Sequence, residues 1–338
     1  MFTYIVRRIF QLPLVLFGVS ILIFTITQFL PPQIRATAFI TSERQVRQLP
    51  SIIERYGLDK DVFTQYRIWI ANVLQGNLGY STAAKRPVTE ALIDFLPATL
   101  ELAFFSILPI ALFGIFFGVM AGINRNSFLD QAIRIISIIG YSLPTFVVGI
   151  FFLAFFYGRL QLFEPGRIDT ILSLTEGLPS VNGFLVFQAL FQGNWNVLGD
   201  LLRHLVLPVT TLTIVVSAGL MQVVRSSVIE QLRQDYVRTA RSKGLKGRVV
   251  TFKHALRNAL IPVVTVIGSL LYGLVSGVII TETVFNYPGV GLWSSQAALI
   301  NDTSGVLGFA LFAAFAVTLI NLLVDVLYGV IDPRVRYD

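Results

Sequence analysis

The sequence has few of the residues from which reactive sites and soluble surfaces are built. Its 338 residues include no cysteine and two histidines. Without cysteine, disulfide bonds and thiolate metal centres are excluded, and the redox compartment is not indicated. Charged residues make up 13% of the chain and hydrophobic residues 54%, whereas soluble domains are about 25% charged. Because so few polar residues cannot cover the apolar ones, we expect a lipid bilayer to solvate most of the chain.

The motifs of enzymes and nucleotide-binding proteins are also missing. His204 and His254 are far apart in the sequence, so no paired metal site is expected. The sequence shows no Ser/His/Asp set, no zinc-ligand spacing and no G-x-x-x-x-G-K-[ST] phosphate loop. We therefore expect a non-catalytic chain that binds no metal or cofactor. The net charge of +7 comes without an RNA- or DNA-binding motif, so no nucleic acid partner is expected.

Apolar segments that could cross a bilayer recur along the chain. A membrane helix needs about 20 predominantly apolar residues. Six segments meet this requirement, namely 9–30, 97–123, 132–157, 205–224, 259–280 and 305–331. They predict a single all-α integral membrane domain, 1–338, with six transmembrane helices. The apolar segment 184–191 is too short to span and is interpreted as interfacial or re-entrant.

The distribution of basic residues predicts the orientation, because short cytoplasmic loops carry an excess of Lys and Arg. Arg7 and Arg8 precede the first span, residues 225–258 are strongly basic, and the C-terminal tail carries two arginines. Both termini are therefore predicted to be cytoplasmic. The loop 281–304 has no Lys or Arg, as expected of an outer loop. A cleaved signal peptide is an alternative for the first span, but its apolar run exceeds the roughly 7–15 residues typical of signal peptides.

The first predicted outer loop, 31–96, has the pattern of ordered structure. Residues 59–75 alternate apolar and polar positions at helical spacing, and Gly76 follows as a stop signal. Pro87 suits the first turn of a short helix leading to Leu96. We interpret the loop as a small extracytoplasmic cap. The second outer loop, 158–204, is predicted only to lie outside.

The most informative segment lies in the basic loop 225–258. Asp235 can cap a helix at its N-terminus, and Gly244 can end it with a positive φ. A second helix would then lead into the fifth span. Such a basic helix pair can rest on anionic lipid headgroups, each Lys or Arg contributing about 1 kcal/mol. Charge alone does not distinguish this role from a protein contact.

The order of residues in this loop resembles the cytoplasmic "EAA" loop of ABC-importer permeases, in the variant of the dipeptide, oligopeptide and nickel family. The similar residues are the run 235–241 (DYVRTAR), Gly244, the run 254–260 (HALRNAL) and Pro262. In the general motif a Gly follows the last Ala of Glu-Ala-Ala by four residues. Here Gly244 keeps that place. The residues that the resemblance assigns to ATPase coupling are Asp235, Tyr236, Arg238, Ala240, Arg241, Lys243, Gly244, Leu245, His254, Arg257 and Asn258.

Other stretches extend the resemblance over most of the chain, including 56–59 (YGLD), 76–81 (GNLGYS), 97–101 (PATLE) and 288–291 (PGVG). The short N-terminal tail and the long first outer loop favour the B-type over the C-type permease subunit. A Gly-Asp-Pro usual in the family after the first span is replaced by Pro-Pro-Gln at 31–33, and the second outer loop matches poorly.

The resemblance implies the transmembrane domain of a type I ABC importer in a bacterial or archaeal inner membrane. The chain would form half of a pore with a homologous C-type permease subunit, while two ABC ATPase subunits bind ATP and Mg. An extracytoplasmic solute-binding protein would deliver the solute. Peptides are expected, and nickel, glutathione or an oligosaccharide are alternatives. An ion-coupled secondary transporter normally shows internal repeats, and a membrane-embedded enzyme normally shows a cluster of catalytic residues. The sequence matches both patterns poorly.

Polar groups within the spans are further candidates, because an ionised side chain there costs about 2.5–3.5 kcal/mol. Glu101 lies one turn inside the second span, while Asn321 and Asp325 share one face of the sixth. We interpret them as packing or pairing groups in preference to residues lining the solute path. The glycines spaced by four in 114–122 predict close packing between helices.

Overall fold

The computed structural model describes residues 2–40, 45, 49–176, 178, 183–275 and 278–331, with side chains described from residue 10 to residue 324 apart from residue 49. The fold is helical, apart from a hairpin of two-residue strands, β1 (Tyr80–Ser81) and β2 (Arg86–Pro87). The α-helices, in chain order, are α1 Phe2–Thr27, α2 Pro32–Ala36, α3 Leu49–Arg55, α4 Val62–Leu74, α5 Val88–Ile123, α6 Phe128–Ser142, α7 Thr145–Phe152, α8 Thr170–Thr175, α9 Leu185–Gln192, α10 Trp195–Leu232, α11 Asp235–Ser242, α12 Gly247–Val249, α13 Leu256–Ala259, α14 Ile261–Val275, α15 Ile279–Val284, α16 Val290–Leu299 and α17 Thr303–Ile331. Thr37–Phe39 forms a 3₁₀ turn, and Leu153–Arg159 and Val250–Ala255 form π-helical segments.

Within the described residues, four helices are long and apolar enough to cross a membrane in one piece: α1, α5, α10 and α17. Two further crossings arise if each of two bent helix pairs counts as one span. These pairs are Phe128–Ser142 with Thr145–Arg159, bent by 94°, and Gly247–Ala259 with Ile261–Val275, bent by 44°. The structure therefore contains four to six candidate spans, against the six predicted.

Prolines account for both bends. Leu143 has φ −82° and ψ 126°, the extended conformation favoured in a residue that precedes a proline, and Pro144 then begins α7. The second break falls at Leu260, between α13 and α14, where Pro262 has no N–H to continue the helical hydrogen bonding. The predicted stretches 132–157 and 259–280 are thus not continuous helices, and residues 276–277 lie outside the described ones.

The short helix expected before Leu96 was a wrong prediction. α5 begins at Val88 and continues through Pro97 to Ile123 as one helix of 36 residues. Val88 and Trp293 are buried together in one apolar cluster. This packing holds the residues before Pro97 in helical conformation, although the proline removes one backbone hydrogen bond.

Helices α5 and α10 form the centre of the bundle, and glycines in α5 allow their close contact. A Cβ added to Gly118 would lie 2.6 Å from Cβ of Val224, and one added to Gly122 would lie 2.7 Å from Cβ of Val228. Real Cβ atoms do not approach this closely, so α10 occupies the space that a side chain would need. The predicted packing role of the glycine stripe in 114–122 is confirmed.

The predicted helix in the first outer loop is confirmed as α4. Asp61 caps it, accepting a hydrogen bond from the Thr64 amide at 3.0 Å, and Gly76 follows with φ +81°. Trp69 of α4 lies against Phe24 of α1, with 5.6 Å between ring centroids. The loop is therefore packed on the first long helix.

Candidate functional site

The basic loop folds into a hairpin at the end of α10, and we call residues 235–259 the basic hairpin. α11 is its first arm, and α12, the π-helical segment and α13 form the second. Gly244 reverses the chain with φ +77°, a conformation that side-chain-bearing residues rarely adopt, and its amide donates to the Arg241 carbonyl at 2.9 Å. The predicted helix end at Gly244 is confirmed.

The predicted N-cap of this helix was wrong by one residue. Gln234, with φ −68° and ψ 153°, holds the cap position, and Asp235 is the first helical residue. A carboxylate in the first turn still interacts favourably with the helix dipole. Asp235 also lies 3.4 Å from Arg238 in an exposed ion pair.

The hairpin has a small apolar interior of its own. Val237 and Ala240 of α11 are buried against Val250 and Ala255 of the second arm, with Leu232 of α10 packed against them. Ala240, which the family resemblance singled out, is thus a contact between the two arms. Leu232 therefore connects the interior of the hairpin to the end of α10.

The outer surface of the hairpin is exposed and cationic. Residues 241–249 are all exposed, and so are Arg238 and Arg257. Residues 225–258 contain nine Lys or Arg and two acidic residues. His254 and Asn258 are half-buried on the second arm. Such a surface attracts an acidic partner or an anionic membrane.

Two of the predicted coupling residues add apolar surface to the cationic face. The side chain of Leu245 is 41% exposed and that of Tyr236 is 37% exposed. The Tyr236 hydroxyl donates to Oε1 of Gln231 at 2.8 Å, which ties its ring to the end of α10. Partly apolar, partly charged surfaces of this kind are typical of protein interfaces.

An ion pair between buried Asp130 and half-buried Arg225 ties α6 to α10 near the hairpin. Nε and Nη2 of Arg225 donate to the two carboxylate oxygens of Asp130 at 2.6 and 2.9 Å. The Asn126 amide also donates to Asp130, at 2.9 Å. Sequence reasoning did not single out this pair, since its members are 95 residues apart and no local pattern links them.

Glu101 lies in a fully buried ion pair, in the N-terminal half of α5 and away from the hairpin. Nη2 of Arg167 donates to Oε2 of Glu101 at 2.6 Å, and the Val186 amide donates to Oε1 at 2.8 Å. Arg167 also donates to the Gly183 carbonyl at 2.7 Å. The structure thus places Glu101 where it fastens the loop 158–204 to α5. Arg167 was missed because that loop matched the family poorly.

A third buried carboxylate, Glu282, lies in the loop after the fifth predicted span. Thr99 donates to Oε1 at 2.7 Å and the Leu292 amide to Oε2 at 2.9 Å. Burial raises the pKa of Glu282 to about 7 because desolvation disfavours the charged form. A Cβ at Gly289 would lie 2.5 Å from Cδ of Glu282, so this glycine permits the close approach.

The remaining predicted polar residues lie on α17. Asn321 is exposed and faces a groove that is also lined by Gln11 and Leu12 of α1. The side chain of Asp325 lies outside the described ones. Within the described ranges, His, Asp and Glu side chains do not gather in groups of three or more that could hold a metal.

Comparison with known proteins gives matches along nearly the full length. Residues 1–103 match the family described as "Binding-prot-dependent transport system membrane comp, N-term", and residues 114–337 match "Binding-protein-dependent transport system inner membrane component". A probable D,D-dipeptide transport system permease protein of Escherichia coli K12 is 39% identical over 331 residues, covering 97% of this chain and 96% of the relative. A di/tripeptide transport system permease protein of Pseudomonas aeruginosa is 36% identical over 341 residues, covering 100% and 99%. An oligopeptide transport system permease protein of Bacillus subtilis is 33% identical over 338 residues, covering both chains in full.

Proposed function

The chain belongs to the family of binding-protein-dependent transport system inner membrane components, and we propose that it is the B-type permease subunit of an ABC importer for di- or oligopeptides. It is a multi-pass protein of the inner membrane and a transport component. The relatives that it matches over nearly their full length are named for dipeptide, di/tripeptide and oligopeptide transport, which favours peptides over nickel, glutathione or an oligosaccharide as the solute.

The proposed topology has six spans with both termini in the cytoplasm. Four single helices and two bent pairs are long and apolar enough for six crossings. The basic hairpin then falls on the cytoplasmic side, where Lys and Arg are enriched. The loops 31–96, 158–204 and 281–304 fall outside.

The proposed partners are a homologous C-type permease subunit, two ABC ATPase subunits and an extracytoplasmic solute-binding protein. ATP and Mg are bound by the ATPase subunits, since this sequence has no phosphate-binding loop. Driving import against a gradient therefore requires a mechanical contact through which the ATPases move this chain.

The basic hairpin is the proposed contact, and the observation that carries the proposal is its construction. Val237, Ala240, Val250 and Ala255 pack between its two arms, and its outer surface is cationic. Only Arg233 and Gln234 lie between α10 and α11. When ATP draws the ATPases together, the hairpin moves with them, and α10 and α14 follow. A packed two-arm unit transmits such a displacement, whereas a flexible loop would absorb it.

Cross-linking tests the contact directly, because this chain has no cysteine of its own. We expect Arg241→Cys, in the complete complex in nanodiscs, to cross-link to an ATPase subunit through a short bifunctional thiol–amine reagent. Arg159→Cys, an exposed position at the end of the π-helical segment after α7, is the matched control and should give no ATPase adduct. Equal adducts from both positions, or none from Arg241→Cys, would contradict the proposal.

A further inference from the structure

An apolar groove runs along α5 to the second arm of the basic hairpin, and we call it the hairpin groove. On α5 its lining residues extend from Ala111 to Asn124, about 20 Å along the helix axis. Phe252 and Leu256 of the second arm complete the lining. The groove has a volume of about 730 Å³, and all its lining side chains except that of Asn124 are apolar. Because an apolar cavity does not hold ordered water, its occupant must be apolar over most of its length.

The groove lies along the half of α5 that is nearest the hairpin. α5 is long and apolar enough to cross a membrane. Half of the hydrocarbon core is about 15 Å thick, so a groove about 20 Å long extends from the headgroup level to the middle of the bilayer. Phe116 and Phe252 are 55% and 54% exposed, so the groove is open along its side. Its length and polarity fit one acyl chain of a phospholipid.

Cations lie at the hairpin end of the groove. Arg125 follows Asn124 at the end of α5, Lys253 follows Phe252 on the second arm, and both cations are exposed. Neither belongs to the ion pairs formed among the described residues. Residues 241–260 contain six Lys or Arg and no Asp or Glu. An apolar groove that ends beside cations from two elements is complementary to an anionic phospholipid, because basic groups at this level attract phosphate headgroups.

The groove is distinct from the surface proposed to contact the ATPases. Val250 and Ala255 of the second arm pack on α11. Phe252 and Leu256 of the same arm line the groove instead. The exposed cationic residues 241–249 form the tip of the hairpin. A soluble ATPase at the tip therefore leaves the side of the second arm that faces α5 to the lipid.

We propose that the hairpin groove is a binding site for an anionic phospholipid of the cytoplasmic leaflet, with one acyl chain along α5 and the phosphate beside Arg125 and Lys253. This inference rests on the proposed function, which places the basic hairpin on the cytoplasmic side. The bound lipid contacts α5 and the second arm together. It therefore supports the hairpin at a defined distance from the bundle, and its loss should weaken the coupling of ATP hydrolysis to transport.

Native mass spectrometry of the complete complex in detergent tests the site, with dioleoyl phosphatidylglycerol as the probe and dioleoyl phosphatidylcholine as the neutral comparison. We expect the native complex to bind phosphatidylglycerol about tenfold or more tightly than phosphatidylcholine, since only the former carries a net negative charge for the two cations. In Arg125→Gln/Lys253→Gln this preference should disappear. The matched control is Arg134→Gln/Arg233→Gln, which removes two exposed cations from α6 and from the junction of α10 and α11, outside the groove, and should leave the preference unchanged.

Three results of this measurement would overturn the site. They are equal affinities of the native complex for the two lipids, an undiminished preference in Arg125→Gln/Lys253→Gln, and an equal loss of preference in the control variant. The last result would mean that phosphatidylglycerol is attracted by the basic surface as a whole.

Photocross-linking identifies what fills the groove. This chain has no cysteine, so Phe116→Cys can be labelled with a benzophenone maleimide in a complex whose other subunits have been freed of cysteine. Illumination in nanodiscs that contain phosphatidylglycerol should give adducts with lipid. An adduct with the C-type subunit would show that a protein segment fills the groove and would overturn the proposal.

A membrane-impermeant maleimide separates failure of this inference from failure of the proposed function. In spheroplasts, Lys253→Cys should react only after the membrane is permeabilised. Reaction from outside would overturn the proposed topology and this site with it. Protection from outside, together with no preference for phosphatidylglycerol, would overturn the lipid site and leave the proposed function standing.

Discussion

Replacing Arg167 by methionine should destabilise the outer half of the bundle strongly. In the native protein its guanidinium lies 2.6 Å from the Glu101 carboxylate, and the two side chains are 1% and 0% exposed. In Arg167→Met the carboxylate keeps the Val186 amide as a donor but loses its neutralising charge. A buried ion deprived of its partner costs about 3–5 kcal/mol. We expect the free energy of unfolding to fall by that order.

The double variant Arg167→Met/Glu101→Met isolates the electrostatic part of this loss. It removes the stranded charge and fills the site with apolar atoms of similar volume, so most of the stability should return. The assay is SDS-induced unfolding in bicelles of native protein, both single variants and the double variant, which together give the coupling energy of the pair. A loss below about 1 kcal/mol in Arg167→Met, or a double variant no more stable than the single ones, would refute this reasoning.

Three further changes have distinct expected results. Gly118→Ala places a Cβ 2.6 Å from that of Val224 and should lower the free energy of unfolding by about 1–3 kcal/mol, measured in the same SDS titration. Asp130→Asn breaks the charged bonds to Arg225, and a loss of about 1.5–3 kcal/mol is expected. Burial raises the pKa of Glu282 in the folded protein from 4.5 to about 7, so folding favours the protonated form of this side chain. The contribution of Glu282 to stability is therefore greatest below pH 4.5 and is lost as the pH rises from there through 7, by about 3 kcal/mol at most. Glu282→Gln should remove this part of the pH dependence of unfolding, and an unchanged pH profile would contradict it.

The features that could be predicted from the sequence have local causes. Gly76 and Gly244 each follow the end of a helix and have a positive φ. Glycine adopts this conformation readily, so the residue type alone marks where a helix ends. α4 followed from its apolar spacing, and the glycine stripe in 114–122 predicted a close helix contact. Long apolar runs marked the candidate spans, since composition alone decides whether a segment can enter a bilayer.

Features that depend on distant residues could not be predicted. Arg167 and Glu101 are 66 residues apart, and nothing near either residue identifies the other. The helix through Pro97 continues because Trp293 of α16 covers its first turns, which no local propensity shows. The π-helical segment Val250–Ala255, whose first and last residues are buried in the basic hairpin, likewise has no signature in its six residues.

The central claim is that the basic hairpin couples ATP hydrolysis to movement of this chain, and the direct test is the number of peptides imported per ATP in proteoliposomes. Gly244→Trp should reduce that ratio at least tenfold, because Gly244 is exposed and has φ +77° at the tip of the hairpin. Gly76→Trp is the matched control, exposed with φ +81° in the outer cap, and should leave the ratio within about twofold of the native value. An unchanged ratio and unchanged ATPase stimulation in Gly244→Trp would contradict the account.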